Sequence, residues 1–273
     1  MLHEILTSAQ FGPALSPGTS GAVLRTYVRP QEEFLAEEGG RWGVLILPGG
    51  GYQVTAKSEG EPTALAFLGK GVQAFLLDYS VAPARWPQAL LETFSALAWI
   101  RANAGRYGVD PQKIAVCGFS AGGHLAGCAA NLWADEALTG TLGLAPRDAR
   151  PDAAVLCYPV ITMGQFGSDM TRANLFGDGP VVPQTSLEKS VTAENPPTFL
   201  WATDTDASVP VENTLMYAAA LRRVGVSMEM HIFDKGPHAM GLATKESAWQ
   251  ADHTSRRAAR WFPLCVSWLK GLK

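Results

Sequence analysis

One serine of this chain stands in a setting that is typical of an activated nucleophile. Residues 118–122 read Gly-Phe-Ser-Ala-Gly, and Ser120 separates an apolar run, 113–119, from a helical pattern, 121–133. A tight strand-to-helix turn exposes such a serine, and glycines on either side remove Cβ atoms that would clash in the turn. The alternative is a serine that only caps the helix. The rest of the chain favours the nucleophile.

A glycine triplet earlier in the chain is suited to stabilising negative charge. The stretch LPGGGY, residues 47–52, follows an apolar run that begins at 42. Acyl transfer requires N–H donors directed at the oxygen on which charge develops. We expect Gly50 and Gly51 to supply one donor and Ala121, the residue after Ser120, to supply another. A phosphate-binding loop would instead need Gly-Lys followed by Ser or Thr, which the stretch lacks.

A serine nucleophile also needs a base, and the base needs a carboxylate that fixes its orientation. Asp204 ends the apolar run 197–204, and Asp206 lies two residues after it. Asp206 is favoured, because its D-x-x-V-P sequence leads directly into the next helical pattern, and Asp204 remains the alternative. His238 lies in a Gly-Pro loop after the run 226–234, which makes it the favoured base.

The other histidines are less suited to this role. The chain order of nucleophile, acid and histidine excludes His3 and His124. His124 lies four residues after Ser120 on the same helix, where packing or hydrogen bonding is the expected role. His231 falls inside a strand pattern, and His253 falls in a charged helical stretch where we expect it to be solvated.

The elements that must position these residues alternate between apolar strands and amphipathic helices. Continuously apolar strands separated by helices predict an α/β fold with a mostly parallel central sheet and helices on both faces. Ligands bind such sheets at the carboxyl ends of the strands, where the candidate residues lie. The predicted strands are 22–30, 42–52, 72–80, 113–119, 152–160, 197–204 and 226–234, and the predicted helices are 61–71, 87–108, 121–133, 209–225 and 243–269. We expect one domain over residues 1–273, with an acidic connection at 30–40 and an irregular insertion at 161–195 near the cleft.

Composition excludes several classes of function. The net charge is −3, which does not suit a nucleic-acid partner. The four cysteines have neither CxxC nor metal-ligand spacing, so neither a metal site nor a disulfide framework is expected. The first residues lack a secretory-signal pattern, and no run reaches the roughly 18 apolar residues that span a bilayer. The sequence therefore favours a cytoplasmic protein with no membrane partner, and it does not specify an oligomeric state.

The sequence resembles the α/β-hydrolase superfamily and, more closely, its small bacterial acetylxylan and carbohydrate acetyl esterases. The stretches that carry the resemblance are 47–83, 108–127, 195–226 and 230–242. The resemblance implies the α/β-hydrolase fold, with Ser120 as nucleophile, Asp206 as acid and His238 as base. It also implies backbone donors from Ala121 and the Gly50–Gly51 loop.

The expected reaction is hydrolysis of a small-molecule, short-chain ester without a metal or organic cofactor. The resemblance points to acetylated sugars or xylo-oligosaccharides as substrates. Tyr52, Trp86 and Met240 are candidate substrate-binding residues, because aromatic and apolar walls suit a sugar ring. A general carboxylesterase, a peptidase-like hydrolase and a non-catalytic hydrolase-like binding protein are the alternatives.

Overall fold

The central feature of the protein is a single sheet, seen in a computed structural model that describes residues 1–15, 20–29 and 40–272. Within these residues eight strands pair in the order β1-β2-β4-β3-β5-β6-β7-β8. Their bounds are β1 Ile5–Thr7, β2 Val23–Tyr27, β3 Arg41–Leu47, β4 Gln73–Asp78, β5 Val109–Phe119, β6 Ala153–Cys157, β7 Thr198–Thr203 and β8 Met228–Phe233. The pairs β1–β2 and β2–β4 are antiparallel and all others are parallel. The predicted fold class is confirmed.

Helices connect and cover the strands. Their bounds are α1 Ser8–Phe11, α2 Glu61–Gly69, α3 Gln88–Ala102, α4 Ala121–Leu132, α5 Glu136–Thr141, α6 Pro146–Ala149, α7 Asp169–Phe176, α8 Leu187–Ser190, α9 Glu212–Val224 and α10 Trp261–Gly271. None of the helices in the described residues has the combination of length and apolar sequence that a membrane-spanning helix requires.

The sheet separates two apolar cores. Alternate residues of a strand face opposite sides, and β3 shows this directly. Leu45 and Leu47 pack in one core with α3 and α4, whereas Val44 and Ile46 pack in the other with α2 and α10. Strands β6 and β7 and residues 114–119 of β5 are buried throughout, as their apolar sequences predict. The result is a rigid support for loops at the carboxyl ends of the strands.

Two sequence predictions need correction. Residues 243–269 are not one helix: only α10 is a long helix, and turns with two short 3₁₀ helices, 251–253 and 258–260, precede it. Residues 161–195 are not wholly irregular, because they contain α7 and α8. In residues 161–195 the many Gly, Pro, Asp and Thr residues concealed two short helices, whereas in 243–269 a mainly helical pattern concealed the turns. The acidic connection at 30–40 lies, apart from Gly40, outside the described residues.

Candidate active site

Ser120 occupies a strained turn between β5 and α4. Its backbone angles, φ 54° and ψ −118°, are unusual for a residue with a side chain and are held by neighbouring contacts. Its N–H donates to the Cys157 carbonyl at 3.0 Å, and its carbonyl accepts from the N–H of Val160 at 3.1 Å. Helix α4 begins at the next residue, so its N-terminal dipole favours negative charge at the serine.

Glycines permit this turn because other backbone passes very close. A Cβ on Gly118 would lie 2.1 Å from the carbonyl oxygen of Gly122. A Cβ on Gly122 would lie 2.1 Å from the Leu47 oxygen at the end of β3. The glycines therefore allow the serine turn and the glycine loop to meet.

Replacing Gly122 by alanine is expected to lower the free energy of unfolding by about 3 kcal/mol or more, because rigid backbone atoms must move. Gly140→Ala is the matched control. A Cβ there meets nothing within 4 Å, so we expect a change of at most about 1 kcal/mol. Urea unfolding followed by circular dichroism measures both. Equal stabilities of the two variants would show that the close approach at Gly122 is unimportant.

Ser120, His238 and Asp206 form one hydrogen-bonded chain. The Oγ atom of Ser120 lies 2.7 Å from Nε2 of His238, and Nδ1 of His238 lies 2.6 Å from Oδ2 of Asp206. The Asp206 side chain is fully buried, and its Oδ1 accepts from the N–H groups of Ser208 and Val209, each at 2.9 Å. A buried carboxylate held in this way fixes the histidine ring and tautomer.

The alternatives for these roles lie elsewhere. Asp204 is exposed, and Asp206 rather than Asp204 contacts His238. His231 lies on β8 and hydrogen-bonds Glu229 at 2.8 Å. His253 is buried, contrary to the prediction that it is solvated, because Trp249 packs against its ring.

His124 is a buried connection between three segments. The Thr185 carbonyl can only accept, so Nε2–H of His124 donates to it at 2.8 Å. The hydroxyl of Tyr52 then donates to Nδ1 at 2.9 Å. His124 thereby ties α4 to the glycine loop and to the insertion. Burial lowers the pKa of His124 to about 4, and the Thr185 hydrogen bond opposes this only in part.

His124 should make the protein sensitive to acid. The unfolded chain binds the proton near the ordinary pKa of 6.5 and the folded protein only near 4. This contribution is therefore complete above about pH 6.5 and decreases as the pH falls toward 4, by on the order of 3 kcal/mol. Urea unfolding at several pH values should show a shallower loss for His124→Gln than for wild type. Identical slopes for wild type and His124→Gln would contradict the prediction.

The glycine loop presents its last two glycines to the serine. The N–H of Gly49 is already committed, because it donates to Oε2 of Glu59 at 2.7 Å. Gly50 and Gly51 line a pocket together with Ser120. Ala121 is buried as the first residue of α4. The geometry thus leaves Gly50, Gly51 and Ala121 as the candidate oxyanion donors.

The pocket above Ser120 has a volume of about 450 Å³. Trp249 and Met170 lie at it with 60% and 53% of their surfaces exposed, and His238 closes one side. Gln53 and Lys57 add polar groups. Another cavity, of about 810 Å³ beside Arg25, contains none of the three hydrogen-bonded residues, so the smaller pocket is the candidate site.

The predicted substrate-binding residues do not line this pocket. Tyr52 and Met240 are buried in the two cores, and half-buried Trp86 packs against the first core. The lining of this pocket therefore does not support the prediction for these three residues. Sequence reasoning missed Trp249, although a tryptophan among polar residues, in AWQADH, signals an exposed aromatic ring.

An α/β-hydrolase is defined by a mostly parallel sheet with a strained serine turn and a histidine–aspartate pair at the carboxyl ends of its strands. This protein has all three features. Among these proteins the chain belongs to the BD-FAE family, whose model matches residues 37–221. The matched region contains Ser120 and Asp206 and ends before His238.

Two sequence relatives are similar over most of this chain. Endo-1,4-beta-xylanase B of Butyrivibrio fibrisolvens is 35% identical over 221 residues, which is 78% of this chain and 35% of that protein. The acetylxylan esterase of Xylanibacter ruminicola is 26% identical over 220 residues, 77% of this chain and 43% of that protein. The chain therefore spans less than half the length of either relative.

One solved structure matches over nearly its whole length. The acetyl ester-xyloside bifunctional hydrolase from Caldicellulosiruptor lactoaceticus has a TM-score of 0.79 and 35% sequence identity. The similarity covers 92% of this chain and 88% of that one. The two chains are therefore similar in three-dimensional structure as well as in sequence.

Proposed function

We propose that the protein is a serine esterase that hydrolyses short-chain, acetyl-type esters through an acyl-enzyme on Ser120. The observation that carries this proposal is the unbroken hydrogen-bonded chain from Ser120 Oγ through His238 to buried Asp206, at 2.7 and 2.6 Å. Groups at these distances can transfer a proton without rearranging. Esterase names among the relatives support the reaction class.

In the proposed mechanism His238 Nε2 takes the proton of Ser120 as Oγ attacks the ester carbonyl. Asp206 stabilises the imidazolium that forms. N–H groups of the Gly50–Gly51 loop and Ala121 bind the oxyanion of the tetrahedral intermediate. His238 then gives its proton to the departing alcohol. Water attacks the acyl-enzyme with His238 again as base, which releases the acid and restores Ser120.

For the alcohol part of the substrate, we propose an acetylated sugar, such as a xylo-oligosaccharide. The names of two relatives and of the matched structure refer to xylan, xylanase or xyloside. Within the described residues, Trp249 is the one large aromatic side chain that is mostly exposed, and it lies at the pocket. An exposed indole face suits the apolar face of a pyranose ring.

Hydrolysis of p-nitrophenyl acetate, butyrate and octanoate tests the reaction class. We expect kcat/KM to fall steeply with acyl length, since a pocket of about 450 Å³ must also hold the alcohol. Equal rates on the octanoate would favour a general carboxylesterase.

The proposal of a sugar substrate is tested by measuring kcat/KM on acetylated xylobiose and on vinyl acetate. Both esters are measured with wild type and with Trp249→Ala. Loss of the aromatic ring should lower kcat/KM on the sugar ester by about 10-fold and leave vinyl acetate nearly unchanged. Trp268→Ala, remote from the pocket, serves as a control for loss of an aromatic ring. Equal losses on both esters would contradict the sugar assignment.

A further inference from the structure

A buried carboxylate beside the pocket has no role in the mechanism above. Glu59 is only 1% exposed and ends the 3₁₀ helix Lys57–Glu59, which follows the glycine loop. Burying a carboxylate is costly unless polar partners compensate for the lost water. The partners of Glu59 therefore indicate why a carboxylate is present here.

Those partners belong to both loops of the site. Oε2 of Glu59 accepts from the N–H of Gly49 at 2.7 Å, and Oε1 accepts from the hydroxyl of Tyr158 at 2.7 Å. The Tyr158 oxygen in turn accepts from the N–H of Gly241 at 2.8 Å. One carboxylate and one phenol thus connect the glycine loop, residues 47–52, to the histidine loop, residues 234–242.

Tyr158 also contacts the base directly. Its ring lies edge-to-face with the imidazole of His238, with centroids 5.1 Å apart and planes at 69°. Tyr158 follows the last residue of β6, and its φ of 37° places it in the left-handed region. A residue holds such a conformation only when its surroundings impose it. Here Glu59 and Gly241 fix its hydroxyl.

We propose that Glu59 is a positioning residue that, through Tyr158, holds the oxyanion loop and His238 at a fixed separation. The inference rests on the proposed esterase reaction, in which both groups must contact one tetrahedral carbon. The oxyanion donors are useful only when they already point at the position of the developing charge. The Glu59–Tyr158 connection sets that geometry before substrate binds.

The charge environment agrees with this role. Burial raises the pKa of Glu59, while the hydrogen bonds from Tyr158 and Gly49 and the proximity of His238 act in the opposite direction. Both neighbours donate, so an ionised carboxylate satisfies them both, whereas an amide can accept from only one.

The test compares Glu59→Ala and Glu59→Gln with the control Glu61→Ala. Glu61 is the exposed glutamate two residues further on. We expect Glu59→Ala to lower kcat on p-nitrophenyl acetate by about 10- to 100-fold, with KM within about 3-fold of wild type. Glu59→Gln, whose amide oxygen can still accept from Gly49 but whose NH2 group cannot accept from Tyr158, should recover only part of the loss. Glu61→Ala should match wild type.

A transition-state analogue separates positioning from simple stabilisation. The affinity for an aryl trifluoromethyl ketone, which forms a tetrahedral oxyanion on the serine, should weaken in parallel with kcat. A lower Tm with unchanged kcat and unchanged ketone affinity would overturn the proposal, as would a rise in KM alone.

If Glu59→Ala does not fold, Tyr158→Phe makes the same test by removing one oxygen atom. It should lower kcat and ketone affinity together, and wild-type values for both would overturn the proposal. If wild type hydrolyses the ester no faster than Ser120→Ala, the proposed function itself is contradicted. This inference is then contradicted with it.

Discussion

Ser120→Ala should reduce kcat on p-nitrophenyl acetate by about 10⁶-fold, the scale found when a serine nucleophile is removed from a complete triad. Without Oγ no acyl-enzyme can form, and His238 loses the group that lies 2.7 Å from its Nε2. The fold should survive, since a smaller side chain leaves the Ser120 backbone hydrogen bonds in place. Initial rates with wild type and variant, at matched folded concentration, measure the effect.

Ser227→Ala is the matched control, because Ser227 is exposed and lies between α9 and β8. It should keep wild-type activity. A fluorophosphonate should add its mass to wild type and Ser227→Ala but not to Ser120→Ala. Equal hydrolysis by wild type and Ser120→Ala would remove the proposed function and leave the family assignment intact.

The second large effect is expected at the buried acid. Asp206→Asn should lower kcat by about 10⁴-fold, and the contacts of Asp206 explain why. Oδ1 accepts from two backbone N–H groups, so the amide oxygen of asparagine will take that position. Its NH2 group then faces Nδ1 of His238, which must become an acceptor. The histidine proton moves to Nε2, and the base can no longer accept the proton of Ser120.

Asp204→Asn provides the comparison for this prediction. Asp204 lies two residues earlier and is exposed, so its change should leave kcat within about 2-fold of wild type. The kcat values of both variants on p-nitrophenyl acetate, with the pH dependence of Asp206→Asn, test the assignment. A large loss in Asp204→Asn and a small one in Asp206→Asn would reverse the roles of the two aspartates.

The sequence was sufficient for seven of the eight described strands, all but β1, and for the three residues that meet at the carboxyl ends of the strands. Apolar runs locate buried strands, and parallel strands bring their carboxyl ends together. Ser120 and His238, separated by 118 positions, therefore meet because each follows such a run. No local sequence pattern predicts this contact, but the order of strands and helices along the chain does.

The side chains at the opening of the pocket could not be predicted from the periodicity of the sequence. Trp249 and Met170 lie on connections whose paths are set by contacts with other segments, not by an amphipathic repeat. Tyr52 lies beside the glycine loop in sequence, but with a φ of 58° it is turned into the core against His124. Likewise, Glu59 is bound by Tyr158, about 100 positions further along the chain, and Tyr158 is bound by Gly241, more than 80 positions beyond that.

The segment after β8 carries two side chains of the site that have different roles. His238 and Trp249 lie within it, so both the base and the exposed aromatic ring belong to one stretch of about a dozen residues. The match to the family model ends at residue 221, ahead of this stretch. A change of path in this one segment would therefore displace both side chains at once, while the serine turn and the sheet stay unchanged.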